Sequence, residues 1–185
     1  MPSRDQNRLI EIIRKRSYGT GVEIKLASGR ISNFYFNLKP TMLHPEGSWL
    51  IGALIVDMLA NETVDMVGGL ELGAVPIAAS VAAVSHHKGR PFSAFFVRKQ
   101  AKGHGTQSLV EGLPKGETIR GQRVVVVEDV TTTGGSALKA IDVLKAEGAE
   151  VVAVVTVVDR EEGAAEAFAE QNVRFLPLLR HADFK

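Results

Sequence analysis

Two runs of residues, VVVV at 124–127 and VVAVVTVV at 151–158, carry no charged side chain. A strand with one face in water alternates apolar and polar residues, so an unbroken run has to be buried on both faces. Both faces are covered when helices lie above and below a parallel sheet. The segments between the runs agree with this. A strand over Arg123 to Val127 leads to a helix over Gly134 to Glu147, and a strand over Val151 to Val157 leads to a helix over Glu161 to Glu170. A last strand covers Val173 to Leu178. The expected fold is α/β: a doubly wound, mostly parallel sheet flanked by helices, with a small N-terminal cap.

Upstream, Leu9, Ile10, Ile12 and Ile13 fall at helical spacing within Arg4 to Ser17. Val22 to Asn37 reads as a hairpin turning around Ser28-Gly29-Arg30. Pro45 to Ala60 is expected to be a helix with Trp49, Leu50, Leu54, Ile55 and Met58 as its buried stripe. A strand over Val64 to Gly68, a helix over Val75 to His87 and a strand over Phe92 to Val97 follow. Arg98 to Gly121 then contains five glycines and five basic residues with little apolar periodicity. A connection of that length without an element of its own is either an error of assignment or a functional lid. With 185 residues the chain is expected to be one domain, residues 1–40 forming the cap, 41–185 the core, and 98–121 a mobile lid loop.

Charge and composition narrow the partners. Lys and Arg number 22 against 21 for Asp and Glu, a net charge of +1, which argues against nucleic acid or a membrane surface. Any bound anion must be held by local charge. There is no cysteine, which excludes disulfides, thiolate nucleophiles and cysteine-ligated metals. The N-terminal stretch lacks the apolar core of a signal peptide, and the longest apolar stretches, 49–60 and 151–158, are too short to span a bilayer. A cytoplasmic protein is expected, in which the sequon Asn61-Glu62-Thr63 has no meaning.

The segment VVVVEDVTTTGGS, 124–136, concentrates the chemistry. A buried strand ends in two carboxylates, Glu128 and Asp129; hydroxyls and glycines follow, and then a helix begins. In open α/β sheets ligands bind at the carboxyl ends of strands. The N–H groups of Thr131 to Gly135, backed by a helix N-terminus, suit a phosphate, and the glycines admit it closely. The order of residues is neither that of a Walker loop nor that of a dinucleotide fingerprint. Carboxylates directly before a phosphate cradle suit a sugar phosphate, whose ribose hydroxyls donate to Glu128 and Asp129. The bland alternative is a strand-to-helix turn with surface acids. A second cluster, Arg98-Lys99-Gln100-Ala101-Lys102-Gly103-His104-Gly105, sets three cations and a histidine together without an acid. Charge runs of this kind are usually solvated loops. A departing diphosphate, however, needs such charge as its bond breaks.

The 124–136 segment resembles the diphosphoribosyl-binding signature of the type I phosphoribosyltransferases, and R-K-x-x-K-x-H-G after a strand is similar to the catalytic loop of the orotate phosphoribosyltransferases. The resemblance spans about Gly19 to Gly163. It implies transfer of the 5-phosphoribosyl group from 5-phosphoribosyl 1-diphosphate (PRPP) to orotate, giving orotidine 5′-monophosphate and diphosphate in pyrimidine synthesis. It implies catalytic roles for Lys102, Asp129 and His104. PRPP would be bound by Lys25, Arg98, Lys99, Lys102 and His104, and by the run Glu128, Asp129, Val130, Thr131, Thr132, Thr133, Gly134, Gly135 and Ser136. Orotate would be bound by Thr132, by Arg160 of D-R-x-x-G, and by Tyr35 and Phe36 in the cap. A guanidinium suits a carboxylate as a planar bidentate partner. Thr132 stands where purine-transferring relatives place an Asp. The resemblance also implies a homodimer in which the lid loop serves the neighbouring subunit's site. The cofactor it implies is Mg²⁺, held by the substrate, with water between the ion and Asp129 and no direct protein ligand.

Two departures accompany the resemblance. Many family members have a lysine where this chain has Ala27, and the nearest lysine is Lys25. A family lysine is also missing from Glu71-Leu72-Gly73, so backbone groups around Leu72 to Ala74 are expected to replace its contact. His86 and His87 lack metal-pair spacing, and His44 and His181 read as surface or capping residues. Transfer to another base, or a non-catalytic PRPP-sensing regulator of the same fold, are the alternatives; a regulator normally carries an effector domain, for which this chain has neither length nor charge.

Overall fold

In the computed structural model, which describes residues 2–25, 31–100 and 108–185, the chain builds a five-stranded parallel sheet with apolar clusters on both faces. Helix α1 (Arg4–Arg16) starts at a capping box of Ser3 and Gln6 and ends in Arg14, Lys15 and Arg16, which complement the helix dipole. It buries Leu9, Ile10, Ile12 and Ile13, the four residues whose spacing predicts it. Strands β1 (Tyr18–Lys25) and β2 (Ile31–Phe36) pair antiparallel as the expected hairpin. A short α2 (Lys39–Met42) leads into α3 (Pro45–Met58), with His44 as a side-chain cap on the Gly47 N–H.

The buried stripe of α3 differs from expectation. Trp49 is 51% exposed, while Ile51, Ala53 and Val56 are buried with Leu50 and Ile55. The helix is apolar on nearly every face, so periodicity leaves the phase of its stripe open. Packing settles it: the small residues Gly52 and Ala53 let α4 (Ala74–His87) approach, and Ser80 Oγ on α4 donates to Ser48 O at 2.6 Å.

Strand β3 (Met66–Gly68) crosses through α4 to β4 (Ser93–Ala94), which lies on its outer side. The expected single strand at 92–97 splits in two, because β5 (Phe96–Val97) leaves the main sheet and pairs antiparallel with β6 (Val110–Glu111). The connection read as structureless over 98–121 therefore contains a strand, and Ile119 within it is fully buried. Strand β7 (Arg123–Thr131) then pairs with the other side of β3, and β8 (Glu150–Asp159) and β9 (Phe175–Arg180) continue the sheet. Helices α5 (Gly135–Ala146) and α6 (Ala164–Glu170) make the crossovers, and one 3₁₀ turn (His181–Phe184) ends the chain. The order β4-β3-β7-β8-β9 reverses direction between β3 and β7. Loops leave in opposite directions there, which opens a crevice at the carboxyl ends of these two strands. Among the described residues no helix is long and apolar enough to cross a membrane.

Candidate active site

Parallel register sets Gly68 beside Val126, so the residues that follow β3 run beside Glu128 and Asp129. A cavity of about 310 Å³ lies at that point. Its walls include Glu71 and Gly73 after β3, Glu128 and Asp129 on β7, Lys99 after β5, and Lys39 on α2. Gly73 is required by this approach: a Cβ there would sit 2.7 Å from Asp129 Oδ1. The two acids differ from ordinary surface carboxylates. Burial, and next to it the negative charge of Asp129, push the Glu128 carboxyl up to about 8, while Lys99 pulls it back down. Glu71 holds the start of the basic segment, its Oε1 accepting the Lys99 N–H at 2.8 Å.

The turn read as a phosphate cradle follows directly. β7 runs past the two acids to Thr131, and Gly134 turns the chain with φ +82° before α5 begins. Gly134 has no alternative, since a Cβ there would also meet the Phe168 ring at 2.8 Å. No side chain caps α5, which leaves its first-turn N–H groups to a ligand. Thr133, Gly135 and Ser136 are exposed on this turn and Thr132 is half-exposed. Thr131 is different. Its hydroxyl is buried without a partner among the described residues, and its carbonyl accepts the Arg160 N–H at 2.9 Å. Val130 packs its side chain against the core, so it meets the crevice through backbone alone.

That Arg160–Thr131 bond places a second, buried site beside the first. The Arg160 side chain is only 4% exposed. Its Nε donates to Glu162 Oε1 at 2.8 Å, its Nη2 donates to Ser32 Oγ at 3.1 Å, and its guanidinium lies 4.4 Å from the Phe34 ring centre. Neither aromatic residue singled out in the sequence lies over the guanidinium, although Phe36 packs edge-on against Phe34 and His181. Phe36 stacks on Tyr18 and packs edge-on against Phe184, and Tyr35, on the opposite face of β2, lies exposed over Gly19. Phe34, two positions from Phe36 on the same strand face, makes the contact with Arg160. His181, expected at the surface, stacks on Phe34 at 3.8 Å.

Of the basic segment, Arg98 pairs with Glu111 at 3.8 Å and donates to Gln100 O at 3.1 Å, and Lys99 reaches the cavity. Lys102 and His104 lie outside the described residues, and Lys25 ends β1 opposite Ile31. Lys39 and His181 had no sequence signal of their own, because each is brought there by a separate element, whereas Phe34 and Glu162 lie inside quoted motifs that did not single them out.

A switch-point crevice with a carboxylate pair and an uncapped Thr/Gly turn suits a phosphoribosyltransferase, and the phosphoribosyl transferase domain family matches residues 44–173. Within that class the relatives are specific. A protein of Bradyrhizobium diazoefficiens named orotate phosphoribosyltransferase is 55% identical over 182 residues, 98% of this chain and 97% of the relative. The crystal structure of the Mycobacterium tuberculosis orotate phosphoribosyltransferase in complex with PRPP superposes with a TM-score of 0.79 at 42% identity, covering 97% of this chain and 98% of that one. The enzyme of that name from Aeropyrum pernix superposes with the same score at 32% identity, covering 95% of each chain. The chain belongs to the orotate phosphoribosyltransferase family.

Proposed function

We infer that the protein transfers the 5-phosphoribosyl group of PRPP to orotate, giving orotidine 5′-monophosphate and diphosphate, the reaction that carries the orotate base into pyrimidine nucleotide synthesis. The observation that carries this reading is the bond between the Thr131 carbonyl and the Arg160 N–H, which sets a phosphate turn and a buried guanidinium side by side. The turn at Thr132 to Ser136 holds the 5′-phosphate. Glu128 and Asp129 accept from the ribose hydroxyls, and Arg160 holds the orotate carboxylate with Thr132 beside the base. The orotate nitrogen is already anionic, so it adds to C1 as the C1–oxygen bond breaks and the electron pair leaves with diphosphate. Positive charge at C1 is then stabilised by the negative charge shared by the Glu128–Asp129 pair beside the ribose, and charge on the departing diphosphate by cations. Lys99 and Lys39 supply such cations at the cavity wall. Lys39 lines the same cavity as Leu72 and Gly73, the stretch from which the family lysine is missing.

The carboxylates of Glu128 and Asp129 are hard oxygen donors in an open cavity and fit Mg²⁺ bound through the substrate and water. When bound, the ion neutralises diphosphate charge. We propose further that Lys25, Lys102 and His104 complete the PRPP site and that Lys102 and His104 act in catalysis. In this reading the protein is a cytoplasmic homodimer, and the lid loop of one subunit serves the other.

Orotate absorbance, followed with and without PRPP and Mg²⁺, tests the reading. Orotate is expected to be consumed only when both are present, and Arg160→Ala is expected to raise the KM for orotate far more than that for PRPP. Consumption of a purine base in place of orotate would overturn it.

A further inference from the structure

The C-terminal turn reaches the base pocket, although the motifs of this chain end near Gly163. We propose that His181 is a positioning residue for orotate, holding the Phe34 ring flat beneath the Arg160 guanidinium. The proposal rests on the reading that Arg160 takes the orotate carboxylate.

Three planar groups are layered here. The Arg160 guanidinium carbon stands 4.4 Å from the Phe34 ring centre, and the His181 ring stacks on Phe34 at 3.8 Å with 11° between planes. Two groups this close over one ring cannot share a face, so Phe34 lies between them. Glu162 and Ser32 hold the Nε and Nη2 of Arg160, and Nη1 bonds to no other described residue. Nη1 is therefore the atom left for a substrate carboxylate, and its direction depends on the plane in which the guanidinium lies. Phe34 lies against the guanidinium and His181 lies against Phe34, so this layer acts on that plane together with Glu162 and Ser32.

The turn that carries His181 is fixed from several sides. Ala182 N–H donates to Glu161 Oε2 at 3.0 Å, Arg14 Nη2 donates to Asp183 O at 3.1 Å, and Arg180 N–H donates to Asp183 Oδ2 at 2.7 Å. Phe184 is buried against Tyr18 and Phe36. Glu161 adopts φ +60°, unusual for a residue with a side chain. Its N–H is held by Asp159 Oδ1 at 2.9 Å while its carboxylate holds the turn. Strained backbone that is held this firmly tends to sit where geometry serves function. Burial lowers the His181 imidazole below its ordinary range, as do the nearby charges of Lys185 and Arg160. Glu161 and Glu162 oppose that shift, and the net direction favours the uncharged ring behind Phe34 over a second cation there.

Steady-state kinetics on His181→Ala and His181→Phe test this. The Ala variant is expected to raise the KM for orotate roughly threefold to tenfold, the range an aromatic pair corresponds to, while kcat, the KM for PRPP and Tm change little. The Phe variant, which keeps a flat ring, is expected to restore the orotate KM. If His181→Ala loses its fold, His181→Leu replaces it in the comparison with Phe, since the two variants fill similar space but only one is planar. An orotate KM unchanged in the Ala or Leu variant, a parallel rise in both KM values, or no recovery with Phe would each overturn the proposal. A wild-type protein that fails to consume orotate would instead overturn the functional reading beneath it.

Discussion

Glu128 and Thr131 lie three positions apart on β7, and each holds a polar group whose burial has a measurable consequence. The Glu128 carboxyl, pushed up to about 8, binds its proton more tightly in the folded protein than in the unfolded chain, where 4.5 is ordinary. Between those two values the folded state holds more protons, so stability falls as pH rises from about 4.5 to about 8 and the cost is fully present above that range. Denaturant midpoints of the metal-free protein across this window are expected to show that decline, and Glu128→Gln is expected to flatten it. A slope that survives the substitution would place its source in another group. Thr131 carries a different cost. A buried hydroxyl without a partner destabilises by about 1–3 kcal/mol, and valine has the same shape without the oxygen. Thr131→Val is therefore expected to raise Tm and leave turnover unchanged, because the backbone carbonyl that meets Arg160 remains. A fall in Tm would mean that the hydroxyl is bonded in solution.

At the scale of elements, the turn between β7 and α5 is the most demanding piece of the molecule. It has to end a buried strand, present first-turn N–H groups and clear the Phe168 ring, and Gly134 at φ +82° does all three. Gly134→Ala combines a left-handed backbone with a clash at 2.8 Å against the Phe168 ring. The left-handed conformation alone costs a side-chain-bearing residue about 1–2 kcal/mol. Chemical denaturation is expected to show at least that loss, together with a raised KM for PRPP, since the shifted turn no longer aims its N–H groups. Unchanged values of both would show that the turn relaxes freely. The β5–β6 hairpin is the contrasting element. Two residues on each strand pair, and Arg98 N–H closes them onto Leu109 O at 2.9 Å, which anchors both ends of the basic loop to the core.

The whole molecule is arranged around the reversal of strand order, and the proposed dimer is tested at that scale. If the loop of each subunit serves its neighbour, Lys102→Ala and Asp129→Asn chains carry defects that fall in different composite sites. A mixed dimer then has one site with both defects and one with neither. Under subunit exchange at equal amounts, half the dimers are mixed, so roughly a quarter of wild-type activity is expected to return. Exchange confirmed by mass with no recovery of activity would show that the loop works within its own subunit.

The sequence by itself determined the sheet and the phosphate turn. Unbroken valine runs can only be strands buried on both faces, and acids, hydroxyls and glycines between such a strand and a helix specify a turn through local backbone chemistry. These signals lie within a dozen residues of one another, where periodicity and conformational preference act. The surroundings of Arg160, the proposed base pocket, were decided by tertiary structure. Arg160 meets Ser32 across 128 positions, and which ring lies beneath it depends on the register of β2 against β1 and on the placement of the cap over β9. Phe34 and Phe36 are indistinguishable by residue type and share one strand face, so only packing separates the ring under Arg160 from the ring in the Tyr18 cluster. Lys39 and His181 carry no motif, and a cation or a ring joins a site only when separate elements bring it there. Trp49 follows the same rule, since a helix apolar on every side takes its orientation from the small residues at which its neighbour can approach.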